Sequence, residues 1–590
     1  MRTNLKSRRF LVFISIIILC ICLGGLGGIY SFWAYPDEFG YWSPAARLSG
    51  YDWSQVTSIG SYYSYGYSLI LYIIFNIFKN AVTAYRAAIF INFALSIAAV
   101  WLIYFFICSV RNIASSGKAE GAAAIISASC VMYPAWSLYS QSTMSESLIL
   151  FLFVLVSFLM YRFLKKPGII NGLLLVACSM YAYLVHMRMI GTVIAIMVTL
   201  LVWAFSCGSR KIRMGILILI AVVAVVFAVS FVIKSHIVSE VYTFSSKDTI
   251  NWNDYNGQLP KILKLFTPQG MQYMFENISG KVLYISLASY GLGLWGISAV
   301  TSLFIKSIKS LRKRGSKSRA LFGIYMFLAV LLQIGVALVY LIDSPSPDNA
   351  RLDLLLHGRY TDMVIPVLII YGIYAMYYSK HPVIITGIIS AADVLLMIPI
   401  LSVISRNNTG MSELQGFTMA GVSYMLSYQD TDAKAFLIRA VIFGVILSWV
   451  VCLIIFIARR TGESMVLACL IAIQLALSVV TCNKFMYSIQ PYVYTDVQLT
   501  DKVERLEEAD PNRQIIHIFK GGIPYIEVVQ FGLRDKVIDV IDAEVEDVFI
   551  SAFPHDAIII TDADTPLDAD LRDKYDTAIY YGHLKLYFNE

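Results

Sequence analysis

Pro36-Asp37-Glu38 sets two carboxylates side by side at the point where a long apolar run ends. Partial desolvation strengthens a carboxylate's hold on a proton, so an acid at a membrane edge suits general-base work. A neighbouring acid reinforces that effect or hydrogen-bonds the incoming acceptor. A third acid, Glu146, opens another apolar run within Ser142-Thr143-Met144-Ser145-Glu146-Ser147. A charge favourable to the helix N-terminus is its plainer reading. Two short polar stretches carry cations, His186-Met187-Arg188 and His357-Gly358-Arg359-Tyr360. Arginine presents a two-pronged fork that suits a phosphate, and Arg359 just before an apolar helix is the leading candidate, with His357 as a second donor. Headgroup anchoring of Arg359 and Tyr360, and a simple polar turn at 186–188, are the alternatives.

The chain that must position these residues is 590 long, 58% hydrophobic and only 14% charged. Its mean hydropathy is +0.68. A soluble protein would carry roughly a quarter charged residues. Apolar runs of membrane-spanning length recur near 9–33, 84–109, 120–137, 145–163, 168–186, 190–206, 212–234, 282–305, 320–342, 362–379, 382–404, 435–458 and 463–484. The expected fold is an α-helical polytopic membrane protein of about thirteen spans. The first run follows Arg2, Lys6, Arg8 and Arg9 and is too long for a cleaved signal, so it reads as a signal anchor.

Basic clusters follow every second run: Arg111 with Lys118, Lys165-Lys166, Arg210 to Arg213, Lys306 to Arg319, Lys380, and Arg459-Arg460. The positive-inside rule places them in the cytoplasm with the N-terminus, and the C-terminus outside. The run 65–79 would invert this order if it spanned, so it is expected to lie along the outer interface. The acid pair then sits in an external loop, 34–83.

After Lys484 the chain changes character, with 9 Lys/Arg against 21 Asp/Glu and no cysteine. Segments 514–519, 536–541 and 557–563 read as buried strands and 525–533 as a helix between two of them. The division expected is a membrane domain, 1–485, and a small extracytoplasmic α/β domain, 486–590, that adds no catalytic residue. Gly521-Gly522 reads as a turn. The seven histidines are scattered without ligand spacing, so no metal constellation stands out. Asp343, Asp348 and Asp353 could take a divalent cation, but a solvated loop explains them better, and no cofactor is assigned. The basic clusters are membrane-side loops, so nucleic acid is not a partner.

The order of features resembles the GT-C glycosyltransferases that use polyprenyl-phosphate sugars, the protein O-mannosyltransferase and aminoarabinose transferase type. The resemblance rests on Pro36-Asp37-Glu38 after the first helix, the aromatic stretch Tyr62, Tyr63, Tyr65, Gly66 and Tyr67, a span starting with Arg86, the stretch 142–147, and His357 to Tyr360 before a helix containing Pro366. It covers roughly the first 380 residues. It implies Asp37 as the base and Glu38 as its support. It further implies Arg359, His357, Tyr360, Arg188 and His186 at the donor phosphate, and Glu146, Tyr63 and Tyr65 at donor or acceptor. Glu146 departs from the usual family context, which leaves its correspondence open.

The function implied is transfer of a monosaccharide from a polyprenyl-phosphate carrier to a cell-envelope glycan, lipid or polymer, on the outer face of a bacterial membrane and with inversion. Nucleotide sugars stay in the cytoplasm, which is the physical reason for a lipid-linked donor. A flippase of lipid-linked sugars would show polar residues at the midplane and internal repeats instead. A polysaccharide polymerase or ligase would use large external loops, which 343–361 fits in part.

Overall fold

The computed structural model describes residues 5–111, 117–206, 209–247, 250, 255–312, 317–342, 351–408, 410–411, 413–426, 432–511, 513–520 and 523–590. Asp343, Asp348 and Gly521-Gly522 lie outside the described residues.

The first apolar run is helical only over Leu5–Leu26, not to Trp33 as its hydropathy suggests. Glycines at 24, 25, 27 and 28 weaken the helix at that point. The chain beyond runs irregularly to Pro36, which leaves the backbone N–H groups of Trp33 and Ala34 free of helical partners. A new helix, Asp37–Leu48, then starts with both acids in its first turn, where the helix dipole favours them.

Among the described residues nine helices are long and apolar enough to cross a membrane, or up to eleven counting two sharply bent pairs. The expected spans 120–137 and 168–186 are filled by shorter helices, Gly117–Val131 and Ile169–Val185. The expected span 282–305 is corrected more strongly. Helices Pro268–Ala288 and Leu292–Arg312 meet there at 112°. Tyr290 and Gly291 both hold positive φ, at 58° and 80°, and hydropathy carries no trace of such a turn. The run 65–79 gives the helix Ser68–Ile77, about 15 Å long at 1.5 Å per residue and half a bilayer core.

The last span continues past the membrane. Ser464–Ala509 is a continuous helical stretch with a π-turn at Asn483–Tyr487, and its C-terminal part packs on the tail. The tail holds a five-stranded sheet in the order β2-β1-β3-β5-β4. Strands β1 (Ile515–Phe519), β2 (Ile538–Asp542) and β3 (Ile558–Asp562) are parallel neighbours and match the expected strands. Helix Ile523–Gly532 links the first two. Two strands were not foreseen, β4 (Thr577–Tyr581) and β5 (Leu584–Phe588), an antiparallel hairpin turning at Gly582 with φ 62°.

Candidate active site

Asp37 and Glu38 are neighbours with different surroundings. Glu38 is fully buried. Its Oε1 accepts the backbone N–H groups of Trp33 and Ala34 at 2.9 and 3.0 Å. Its Oε2 accepts the Tyr85 hydroxyl at 2.7 Å and both the N–H and hydroxyl of Thr143 at 2.6 and 2.7 Å. Two carboxylate oxygens offer about four lone-pair sites, so these five donors saturate the group. Burial pushes the Glu38 carboxyl above its ordinary range, and the backbone donors pull the other way. The irregular stretch 27–36, the stretch 142–147 and the helix Ala81–Arg111 all meet on this one side chain.

Asp37 is partly open to solvent, and its Oδ2 pairs with Arg359 Nη1 at 2.9 Å. Arg359 also bonds Glu146 Oε1 through Nε, and Arg188 Nη2 reaches the same oxygen at 2.9 Å. Two carboxylates and two guanidinium groups thus form one chain, Asp37–Arg359–Glu146–Arg188, gathered from four separate parts of the sequence. Glu146, Arg188 and Arg359 are all buried. Arg188 Nε and Nη1 and Glu146 Oε2 lack hydrogen-bond partners. Charged groups are costly to hold that way, and open donors beside a partly exposed acid suit an anionic ligand.

The histidines hold this chain in place. Burial, then the charges of Arg188 and Arg359, push His186 well below the ordinary imidazole range. It is neutral, and its Nδ1 accepts the Arg188 backbone N–H at 3.2 Å. Arg188 lies over the Tyr360 ring, 5.0 Å from its centre. His357 stacks on the other side of the site with its centroid 4.6 Å from that of Tyr360, and its Nδ1 is unpaired. Gly66 lets the loop after helix Asp37–Leu48 reach this turn. Its N–H donates to Leu184 O at 2.7 Å, and a Cβ there would sit 2.4 Å from the Leu184 carbonyl carbon.

Tyr360 is thus part of the site, and of the two tyrosines expected at donor or acceptor only Tyr63 joins it. Its ring lies on Gly40, where a Cβ would come within 2.1 Å, and edge-on to Tyr41. Tyr65 points elsewhere and lines a small cavity with Tyr183 and Lys234.

Two acids were not foreseen. Asp362 is buried, with Tyr284 and Tyr139 donating to its two oxygens at 2.8 and 3.0 Å. Glu527, from the tail helix, is buried with Oε2 unpaired. Burial and then the charges of Asp37 and Glu38 push its carboxyl well above the ordinary range. The tail, expected to add no catalytic residue, packs against the segments around the site. Phe531, one turn beyond Glu527, packs against Phe32, Trp42 and Trp53. Trp53 Nε1 donates to Arg534 O, and Arg534 donates to the carbonyls of Phe75, Phe78 and Lys79. Neither acid has a local motif. Only the phase of the apolar face in 525–533 would have hinted at Glu527.

No group of three or more His, Cys, Asp or Glu among the described residues is placed to hold a metal ion. Asp353, expected in a solvated loop, is instead fully buried and bonded to Arg351 and Thr418.

No protein-family model matches the chain, and no curated protein matches it. Solved structures do. The chain superposes on ArnT from Cupriavidus metallidurans bound to undecaprenyl phosphate with a TM-score of 0.53, over 98% of both chains at 14% identity. Against the apo state of the same enzyme the TM-score is 0.51 at 13% identity, over 99% of this chain and 98% of that one. The fold is the ArnT fold. The match covers 98% of this chain, so it takes in both the membrane helices and the tail. The resemblance seen in the first 380 residues is therefore a likeness of the whole chain.

Proposed function

We propose that this protein transfers a monosaccharide from a polyprenyl-phosphate carrier to a hydroxyl-bearing cell-envelope acceptor on the outer face of the membrane. The observation that carries this reading is the buried chain Asp37–Arg359–Glu146–Arg188, in which Arg188 keeps two open donors and Arg359 links it, through Glu146, to a partly exposed carboxylate. The ArnT structure that matches over nearly the full chain binds undecaprenyl phosphate, which supports the same donor class here.

In this reading Arg188 and Arg359 grip the donor phosphate. The phosphate competes with Asp37 for Arg359, because both are anions seeking the same Nη1 donor. Donor binding thereby frees Asp37 at the moment a base is needed. Asp37 accepts the proton of the acceptor hydroxyl as its oxygen bonds to the anomeric carbon. The carbon–oxygen bond to phosphate breaks, and the polyprenyl phosphate leaves with the electron pair, held by the two arginines. Attack opposite the leaving group inverts the sugar. Glu38 acts by position, since its five donors fix the segment that presents Asp37. Glu146 sets the spacing of the two guanidinium groups. The division into a membrane domain, 1–485, and a tail, 486–590, is part of the proposal, with the tail bracing the loop that carries the base. The sidedness follows from the basic clusters at the opposite helix ends.

The test uses purified protein reconstituted with envelope lipids that contain polyprenyl-phosphate sugars. Release of free polyprenyl phosphate is measured by mass spectrometry, a product common to every donor sugar. Release that needs acceptor and is lost in Asp37→Asn supports the proposal. Release unaffected by that change would remove Asp37 from the chemistry.

A further inference from the structure

A second site lies at the opposite ends of the helices. The helix Ala81–Arg111 runs for 31 residues, about 46 Å at 1.5 Å per residue. Its Tyr85 touches Glu38 at one end, and at the other Arg111 lines a cavity of about 830 Å³. That volume falls in the range of ligand sites, about 300–1,000 Å³. Among the described residues eight helical segments line it.

The lining has a gradient. Ile126, Leu303, Phe322 and Ile373 form an apolar inner wall, while Arg111, Lys118 and Arg319 stand exposed at the mouth. Among the described residues no acid lines the cavity. Lys118 is paired with Glu463 at 3.5 Å, but no carboxylate among the described residues pairs with Arg111 or Arg319. Arg111 is already oriented. Its guanidinium lies over the rings of Tyr374 and Tyr378, at 4.4 and 5.3 Å, and donates to the Tyr378 hydroxyl at 3.2 Å. Two uncompensated guanidinium groups above an apolar wall, with tyrosines between, match a molecule that is anionic at one end and hydrocarbon at the other. A free phosphate would have no use for the wall.

We propose that this cavity binds the headgroup and upper acyl chains of an anionic glycerophospholipid from the leaflet opposite the sugar-transfer site. The lipid ties together the ends of helices Ala81–Arg111, Lys317–Tyr340 and Ile365–Tyr378. The last of these begins at the segment that carries Arg359 and Asp362. Basic pockets between helices on the cytoplasmic side are suited to such headgroups.

Native mass spectrometry of the full-length detergent-solubilised protein tests this with dioleoylphosphatidylglycerol, dioleoylphosphatidylcholine and glycerol 1-phosphate as probes. The wild type is expected to retain phosphatidylglycerol and not phosphatidylcholine. Arg111→Gln with Arg319→Gln is expected to weaken retention roughly 25-fold, from about one charge's worth of surface attraction per residue. Arg111→Lys with Arg319→Lys is expected to restore most of it. If the double glutamine variant fails to fold, Arg319→Gln alone, at an exposed position, is expected to weaken retention about fivefold. Equal retention of phosphatidylglycerol by wild type and glutamine variants would overturn the proposal, as would equal retention of phosphatidylcholine. Displacement by glycerol 1-phosphate at concentrations comparable to the lipid's would assign the site to a soluble phosphate and overturn it too.

Discussion

Glu38→Gln is expected to loosen the protein while Asp37→Asn stops its chemistry, although the two residues are adjacent. In the glutamine, one carboxylate oxygen becomes an NH2 donor. Placed at the Oε1 position it would face the backbone N–H groups of Trp33 and Ala34, which cannot turn away. Placed at Oε2 it meets the hydroxyls of Tyr85 and Thr143, which can rotate to accept, and strands only the Thr143 N–H. The second arrangement is the cheaper. A stranded buried N–H costs about 1–3 kcal/mol, and each surviving bond that loses its charge gives up roughly 1 kcal/mol. Burial disfavours the charged carboxyl, which offsets part of this, so the net loss is about 2–4 kcal/mol. That is a large share of the roughly 5–15 kcal/mol that holds a typical protein folded. Asp37 has one ion-pair partner, Arg359, and asparagine can still accept that bond. Its thermal midpoint should stay near wild type while turnover falls at least about a hundredfold, the low end for general-base assistance. The assay pairs tryptophan-fluorescence melting in detergent with the rate of polyprenyl phosphate release. A wild-type midpoint in Glu38→Gln, or wild-type turnover in Asp37→Asn, would refute the division of roles.

Arg359→Lys should weaken polyprenyl phosphate binding about 10- to 140-fold, because one ammonium cannot bridge two anions as the fork does and a charge-assisted bond is worth about 1.5–3 kcal/mol. An unchanged Kd would make Arg359 a structural cation only. His517, in the centre of β1, is fully buried with both ring nitrogens unpaired, and burial lowers it to about 3. The unfolded chain protonates near pH 6.5 and the folded one does not, so stability is full above that pH and falls as pH drops towards 3, by up to about 1.4 kcal/mol per unit. His517→Leu should flatten this loss, as read by hydrogen exchange of the β1 amides at pH 7 and 5; the same loss in the variant would rule out His517 as its source. Glu527 shifts the opposite way, so above roughly pH 4.3 the unfolded chain ionises while the folded one resists. Glu527→Gln should therefore raise the thermal midpoint, with the gain growing from pH 5 to 8, and a gain that does not change with pH would point to packing alone.

Much of the fold was legible because hydropathy and period report it directly. The acid pair, the stretch 142–147 and the Arg359 segment stand out in the sequence and the structure brings them together, and β1, β2 and β3 lie nearly where the apolar runs place them. What separates Asp37 from Glu38 was not legible. The donors that saturate Glu38 include Tyr85 and Thr143, 47 and 105 residues away, and no local pattern announces them. Glu146 and Arg188 were both singled out, but their shared ion pair is a product of folding. Glu527 was hidden for the same reason, and the bend at Tyr290-Gly291 because an apolar average is blind to φ. The hairpin β4–β5 was missed because no residue of β4 is fully buried and Lys585 interrupts the apolar run of β5.

The central claim is that a lipid phosphate binds between Arg188 and Arg359 and releases Asp37. It is tested most directly by an experimental structure of the protein with undecaprenyl phosphate. Phosphate oxygens are expected within hydrogen-bond distance of both guanidinium groups, with the Asp37–Arg359 contact opened from 2.9 Å and the carboxylate facing the acceptor side. A phosphate seated away from both arginines, with that ion pair intact, would contradict it.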